Sequence, residues 1–134
     1  MIGNSSIQFD LRVPWGSQVN WTMLMYNSSG IVPFPDLASH TFEYLVKANV
    51  TDTNPVIRLR SDQPGSPTPA GGGLITVNAG ANQSSVVFQV YPPGTSALTP
   101  PLSYYHAMWM DYADPVNATC LWWGQWYLDP AIQP

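Results

Sequence analysis

The sequence predicts an all-β fold, a two-sheet antiparallel β-sandwich, and three observations carry that prediction. Fourteen prolines and ten glycines interrupt the chain so often that few stretches are left to run as a helix. The segments between them alternate at a period of two, which sends successive side chains to opposite faces of a strand. About eight or nine such segments recur at short intervals, the spacing of two packed sheets. At 134 residues the chain can hold one core but is short for two, so residues 1–134 read as a single domain.

Ile7 to Val13 opens the fold as a half-buried strand, with Phe9 and Leu11 in the core and Gln8, Asp10 and Arg12 opposite. Pro14-Trp15-Gly16-Ser17 stops it. Val19 to Tyr26 follows, with Val19, Trp21, Met23 and Met25 on one face and Trp21 assigned to the core. Asn27-Ser28-Ser29-Gly30 is a tight turn, and Ile31-Val32 is a short return. The irregular connection Pro33 to Leu37 must pin Leu37 into the core. Thr41 to Val50 reads as a strand rather than a helix, because its β-branched and aromatic residues outweigh Leu45, Lys47 and Ala48. Pro55 to Leu59 is a short strand with Arg58 and Arg60 beside it.

Residues 61–73, SDQPGSPTPAGGG, read as a flexible Pro/Gly loop. A loop of this length in a compact domain is usually functional or disordered. Pro64, Pro67 and Pro69 are therefore candidates for contact with a neighbouring subunit. Leu74 to Val77 and Ser85 to Tyr91 flank the turn Asn78 to Asn82, with Val86, Phe88 and Val90 facing inward. Pro92 to Pro101 is a proline-rich crossing.

The closing hairpin, Ser103 to Pro130, holds four of the six tryptophans. On its first strand Tyr105, Ala107 and Trp109 oppose Tyr104, His106, Met108 and Met110. On its second, Cys120, Trp122, Trp126 and Leu128 oppose Leu121, Trp123 and Tyr127. Ala113 to Asn117 is the turn, where Asp114 bonds its own backbone and Pro115 presets φ. Bulky residues on both faces mark a central strand pair. Trp109, Trp122 and Trp126 are assigned to the core, each worth roughly 1.5–3 kcal/mol when buried. Tyr104, His106, Trp123, Gln125 and Tyr127 are left as interface candidates, and residues 131–134 form a short tail. The topology expected is immunoglobulin-like or jelly-roll-like.

Only 9% of residues are charged, against roughly a quarter in ordinary globular proteins. With 45% hydrophobic residues, such a surface calls for a partner to cover it. The net charge is −4, and Arg12, Lys47, Arg58 and Arg60 are the only basic residues, far short of a nucleic-acid footprint. No apolar run approaches the ~20 residues of a membrane span, and MIGNSSIQFDLRV has neither the basic nor the apolar region of a signal peptide. Cys120 is the single cysteine, and His40 and His106 stand far apart, so no metal or other cofactor is expected. There is no nucleophile elbow, and Gly71-Gly72-Gly73 lacks the lysine of a phosphate loop. Asp10, Asp111 and Asp114 would be the carboxylates of a glycosidase, but the last two flank a turn that wants Asp for structural reasons. The expected class is not an enzyme.

Four pieces of the chain together resemble the small β-sandwich virion proteins of tailed bacteriophages, of the minor-tail, baseplate and fibre-associated type, with actinobacterial phages closest. Phe9-Asp10-Leu11-Arg12-Val13-Pro14-Trp15-Gly16 looks like the family's first strand and turn. Val19 to Met23 with Asn27 to Val32 and Leu37 is similar to its second strand, turn and return. Tyr104 to Met110 looks like its Tyr-rich penultimate strand, and Leu121 to Trp126 with Pro130 resembles its closing one. The resemblance implies a non-enzymatic subunit of the virion, made in the host cytoplasm. Its partners would be other virion proteins and copies of itself, and its place the tail or, as a decoration protein, the capsid. A second class stays open: a sandwich that binds host cell-wall glycan through Trp123, Tyr127, Gln125 and Asp129.

Overall fold

A computed structural model describes residues 7–26, 34–80, 83–98 and 103–129. The turn expected at Asn27 to Gly30, the return at Ile31-Val32 and the tail at 131–134 lie outside the described residues. The described strands are β1 (Ile7–Gln8), β2 (Leu11–Pro14), β3 (Val19–Met25), β4 (Phe42–Lys47), β5 (Ile57–Arg60), β6 (Gly73–Ala79), β7 (Ser84–Val90), β8 (Ser103–Met110) and β9 (Thr119–Asp129). A 3-10 turn at Leu37–Ser39 and one helical turn, α1 (Pro92–Thr95), complete them. Two sheets face each other, as the patterning predicts. The larger runs β1-β9-β8-β4-β5 with β2 also on β9, and the smaller runs β3-β7-β6.

Pairing in the larger sheet is not wholly antiparallel. β1 and β2 lie parallel to β9, with Ile7 opposite Trp122 and Leu11 opposite Trp126. A parallel neighbour needs a long crossover, and the whole chain between β2 and β9 supplies it. One expected strand is thus two short ones, because Phe9 and Asp10 step out of line where they pass Gly124. A Cβ on Gly124 would lie 2.0 Å from the Phe9 carbonyl oxygen, so only glycine lets the two backbones come this close.

Alternation sorts each strand correctly into two faces, but it does not say which face is inside. On β8 Tyr104, His106, Met108 and Met110 point inward, and Trp109 lies half-buried on the outer face, which corrects its assignment to the core. The register decides this, since Met108 pairs with the buried Trp122 and Trp109 with Cys120. Leu121 is the extra residue of a β-bulge at this point. It is buried beside Trp122, and Cys120 is turned to the opposite face from the one its alternation with Trp122 predicts.

The core is closed by rings. Tyr44 stacks on Phe88 at 4.5 Å, and Trp122 meets Phe9 edge-on at 5.2 Å. Trp126, Val86, Phe88 and Leu37 are buried as expected. Phe9 and Leu11 are half-buried and pack against the core from the sheet edge. Trp21 corrects another core assignment. It is on the inward face of β3, opposite Phe88, and its ring sits 4.8 Å from Phe9. Because β3 is an edge strand, the outer half of the indole stays open and the residue is 42% exposed.

Residues 61–73 are a hydrogen-bonded excursion. Arg58 and Thr68 exchange both backbone hydrogen bonds, at 2.8 and 3.0 Å, and Tyr91 N–H donates to the Gly72 carbonyl at 2.9 Å. Gly72 and Gly73 are buried, and Gly73 already belongs to β6. Pro64 is exposed at the tip, with Pro67 and Pro69 half-buried along its return.

Candidate interaction surface

The outer face of the larger sheet can be read off the strand registers. β4 contributes Glu43, Leu45 and Lys47, and β8 contributes Tyr105, Ala107 and Trp109. β9 contributes Cys120, Trp123, Gln125 and Tyr127, and β2 adds Arg12 beside Tyr127. Ala107 sits between Leu45 and Trp123 across the sheet, with Tyr105 and Trp109 on either side along its own strand. A methyl surrounded by four large side chains leaves a hollow. It measures about 230 Å³, and its lining includes Leu45, Lys47, Val50, Tyr105, Trp109 and Trp123. Trp123 and Tyr105 are exposed, and Val50 more so.

The structure divides the predicted interface residues. Trp123 is 47% exposed, and Gln125 and Tyr127 lie half-buried on the same face. Tyr104 and His106 are corrections: both point into the core, at 6% and 3% exposure, and His106 is packed among Phe9, Tyr44 and Trp122. Pro64, Pro67 and Pro69 do not line the hollow. The residues missed from sequence are Leu45, Val50, Tyr105, Ala107 and Trp109. Their signal was the small Ala107 among bulky neighbours, legible only once cross-strand partners are known.

His106 ties the two halves of this sheet together. Its Nε2 bonds the Phe9 carbonyl at 2.6 Å, so Nε2 carries the proton. Nδ1 then accepts from the Tyr44 hydroxyl at 2.9 Å, a phenol that burial keeps protonated by pushing its pKa well above the ordinary value. One neutral imidazole therefore satisfies β4 and the β1–β2 step at once. Burial lowers the imidazole pKa, partly offset by the Phe9 carbonyl and the Asp10 charge. Below the ordinary value of 6.5 the unfolded chain takes up a proton that the native ring resists, so stability falls as pH drops. The unfolding free energy from urea titration should decline between about pH 7 and pH 5, by at most about 1.4 kcal/mol per pH unit. In His106→Gln that slope should be flatter; an unchanged slope would place its origin elsewhere.

The polar groups around the aromatic face are engaged with one another. Tyr127 hydroxyl donates to Gln125 Oε1, and the Arg12 guanidinium donates to both Asp129 oxygens, its Nε at 3.0 Å. Glu43 is held by Arg60 at 2.5 Å and by Arg58 at 3.7 Å. Lys47 is the basic residue for which no ion pair forms among the described residues. Outside the lining of the hollow, His40 Nδ1 bonds Asp111 at 2.8 Å, and Asp111 also receives the Thr41 N–H at 3.2 Å. Among the described residues no hydroxyl or thiol reaches the other His40 ring nitrogen. No three His, Cys, Asp or Glu side chains among them gather as a metal site would, and no helix is long and apolar enough to cross a membrane. No protein-family model matches the sequence, and no curated protein does.

Proposed function

We propose that the protein is a non-enzymatic structural subunit of a tailed-phage virion, making assembly contacts on the tail through the outer face of its larger sheet. The observation that carries this reading is the hollow above Ala107, an aromatic and aliphatic surface whose lining holds one charged side chain, Lys47. Tyr, Trp and depleted charge at the centre are the composition of a protein interface. A contiguous apolar patch of this kind is covered in use. The resemblance of the four sequence pieces supports a phage particle as the assembly. A glycan site asks for polar groups that are available to sugar hydroxyls. Here Gln125 Oε1, Tyr127 and Asp129 are occupied by each other and by Arg12, which weighs against that class.

Purified particles of the encoding phage should contain the chain in many copies by quantitative mass spectrometry, with antibody labelling on the tail. Trp123→Thr keeps a good strand former and should cost the isolated domain about 1 kcal/mol or less. Its incorporation into particles should nonetheless fall by about tenfold, the effect of one central aromatic contact worth about 1.4 kcal/mol. A chain missing from particles would end the proposal. Retention on host cell wall, lost in Trp123→Thr, would move the reading to glycan binding.

A further inference from the structure

The charges of this chain are segregated. All four basic residues, Arg12, Lys47, Arg58 and Arg60, project from the outer face of the larger sheet. Two carboxylates, Glu43 and Asp129, share that face, so it carries a surplus of two positive side chains. The smaller sheet has no charged residue on any of its strands. The other six carboxylates (Asp10, Asp36, Asp52, Asp62, Asp111 and Asp114) lie off the strands and bring the whole to −4. Four of the six gather at one end of the sandwich, where β4 begins and β8 ends, and the one basic side chain that reaches them is Arg60, whose guanidinium lies 4.7 Å from the Tyr112 ring and feels Asp62. Asp111 is bonded there to His40 and Thr41, Asp62 takes the Tyr112 hydroxyl at 2.7 Å, and Asp114 caps its own turn at Val116 and Asn117. Asp36 precedes the adjoining 3-10 turn, and like Asp62 it is exposed.

We infer that the outer face of the larger sheet takes the acidic end of a second copy, so that copies join head to tail. This rests on the proposed role of that face in assembly and names its occupant. Face-to-face docking of two copies would set like surpluses against each other and leave both lysines unpaired, a costly arrangement. Placing the acidic end on the face brings opposite charges together and lets Lys47, in the lining of the apolar hollow, find a carboxylate. Such a contact uses different patches on the two copies. It therefore continues into rings or stacks rather than closing as a dimer, as a multi-copy subunit requires.

Sedimentation velocity on the full chain tests this at about 0.1 M and about 1 M salt, across which the screening length falls from about 10 Å to about 3 Å. At low salt the mean mass should rise with concentration past the dimer, and high salt should weaken association about tenfold. Lys47→Glu should weaken it comparably. So should Asp36→Asn with Asp62→Lys, where Asn is chosen because Asp36 has positive φ. Combining all three substitutions in one chain should restore association, and melting temperatures of every variant show that each is folded, with Asp62→Lys a few degrees lower for the loss of its bond to the Tyr112 hydroxyl. A closed dimer indifferent to salt and to Lys47→Glu overturns the inference, and is the behaviour expected if the uncharged edge strand β3 paired with its own copy. A monomer at every concentration also overturns it. If Trp123→Thr is still lost from particles in that case, the proposed function stands with a different protein as the partner.

Discussion

Gly124→Ala should unfold the domain or bring it close to unfolding. The added Cβ would lie 2.0 Å from the Phe9 carbonyl oxygen, 2.5 Å from its carbon and 2.8 Å from Asp10 Oδ1. The first two are backbone atoms, so no side-chain rotation relieves the clash. Phe9 and Asp10 must move outward, and three hydrogen bonds depend on where they are now. Phe9 N–H donates to the Trp123 carbonyl at 2.7 Å, Gln125 N–H donates to Asp10 at 2.9 Å, and His106 Nε2 donates to the Phe9 carbonyl. Moving the last one strips a buried imidazole of its acceptor. Overpacking alone costs about 1–3 kcal/mol, and each lost hydrogen bond adds about 1 kcal/mol. A total of about 4–6 kcal/mol is most of the stability of a marginal domain. Urea unfolding measures it, with Gly65→Ala, where a Cβ meets open space, as the matched control. If Gly124→Ala stayed within about 1 kcal/mol of the control, the close passage of β1–β2 over β9 would be wrong.

That passage shows where sequence reading ran out. The strand from Ile7 to Val13 was legible from its alternation, and so were the turn after it and the burial of Leu37. Its interruption was not, because the cause is Gly124 on another strand over a hundred residues away. Glycine in a strand pattern signals close approach of some backbone, but pairing alone identifies which. The aromatic hairpin departs from its alternation pattern for a related reason. With bulky residues on both faces of β8, a period of two fits either orientation. The choice fell to Trp109 on size, whereas the actual determinant is that β4 and β7 present Tyr44 and Phe88 to His106 and Trp122. The bulge at Leu121 then hid the parity of β9, since one extra residue reverses the face of everything before it. Trp123 and Tyr127 were placed correctly because they lie beyond the bulge. Lys47 was visible in the sequence only as a charge on a strand. Its place in the lining of an apolar hollow comes from Ala107 two strand positions from Tyr105 and Trp109.

Replacing Trp126 and Trp109 should separate the two faces of the hairpin sharply. Trp126 is fully buried between Tyr104 on β8 and Leu11 on β2. Trp126→Ala removes the largest side chain in the core and leaves a cavity that β-sheet backbones on both sides cannot close. The expected cost is about 3–5 kcal/mol, enough to leave little folded protein. Trp109→Ala takes away a half-buried ring with the hollow on one side, where lost cross-strand contact costs about 1 kcal/mol. Trp126→Phe should fall between them. It loses volume, but the indole Nε1 of Trp126 is buried with no hydrogen-bond partner among the described residues. Discarding an unsatisfied donor returns about 1–3 kcal/mol against the packing loss. Urea unfolding of the three variants gives the order directly. Equal losses for Trp109→Ala and Trp126→Ala would mean that β8 shows its Trp109 face to the core. The hollow above Ala107, and the docking surface built on it, would then not exist.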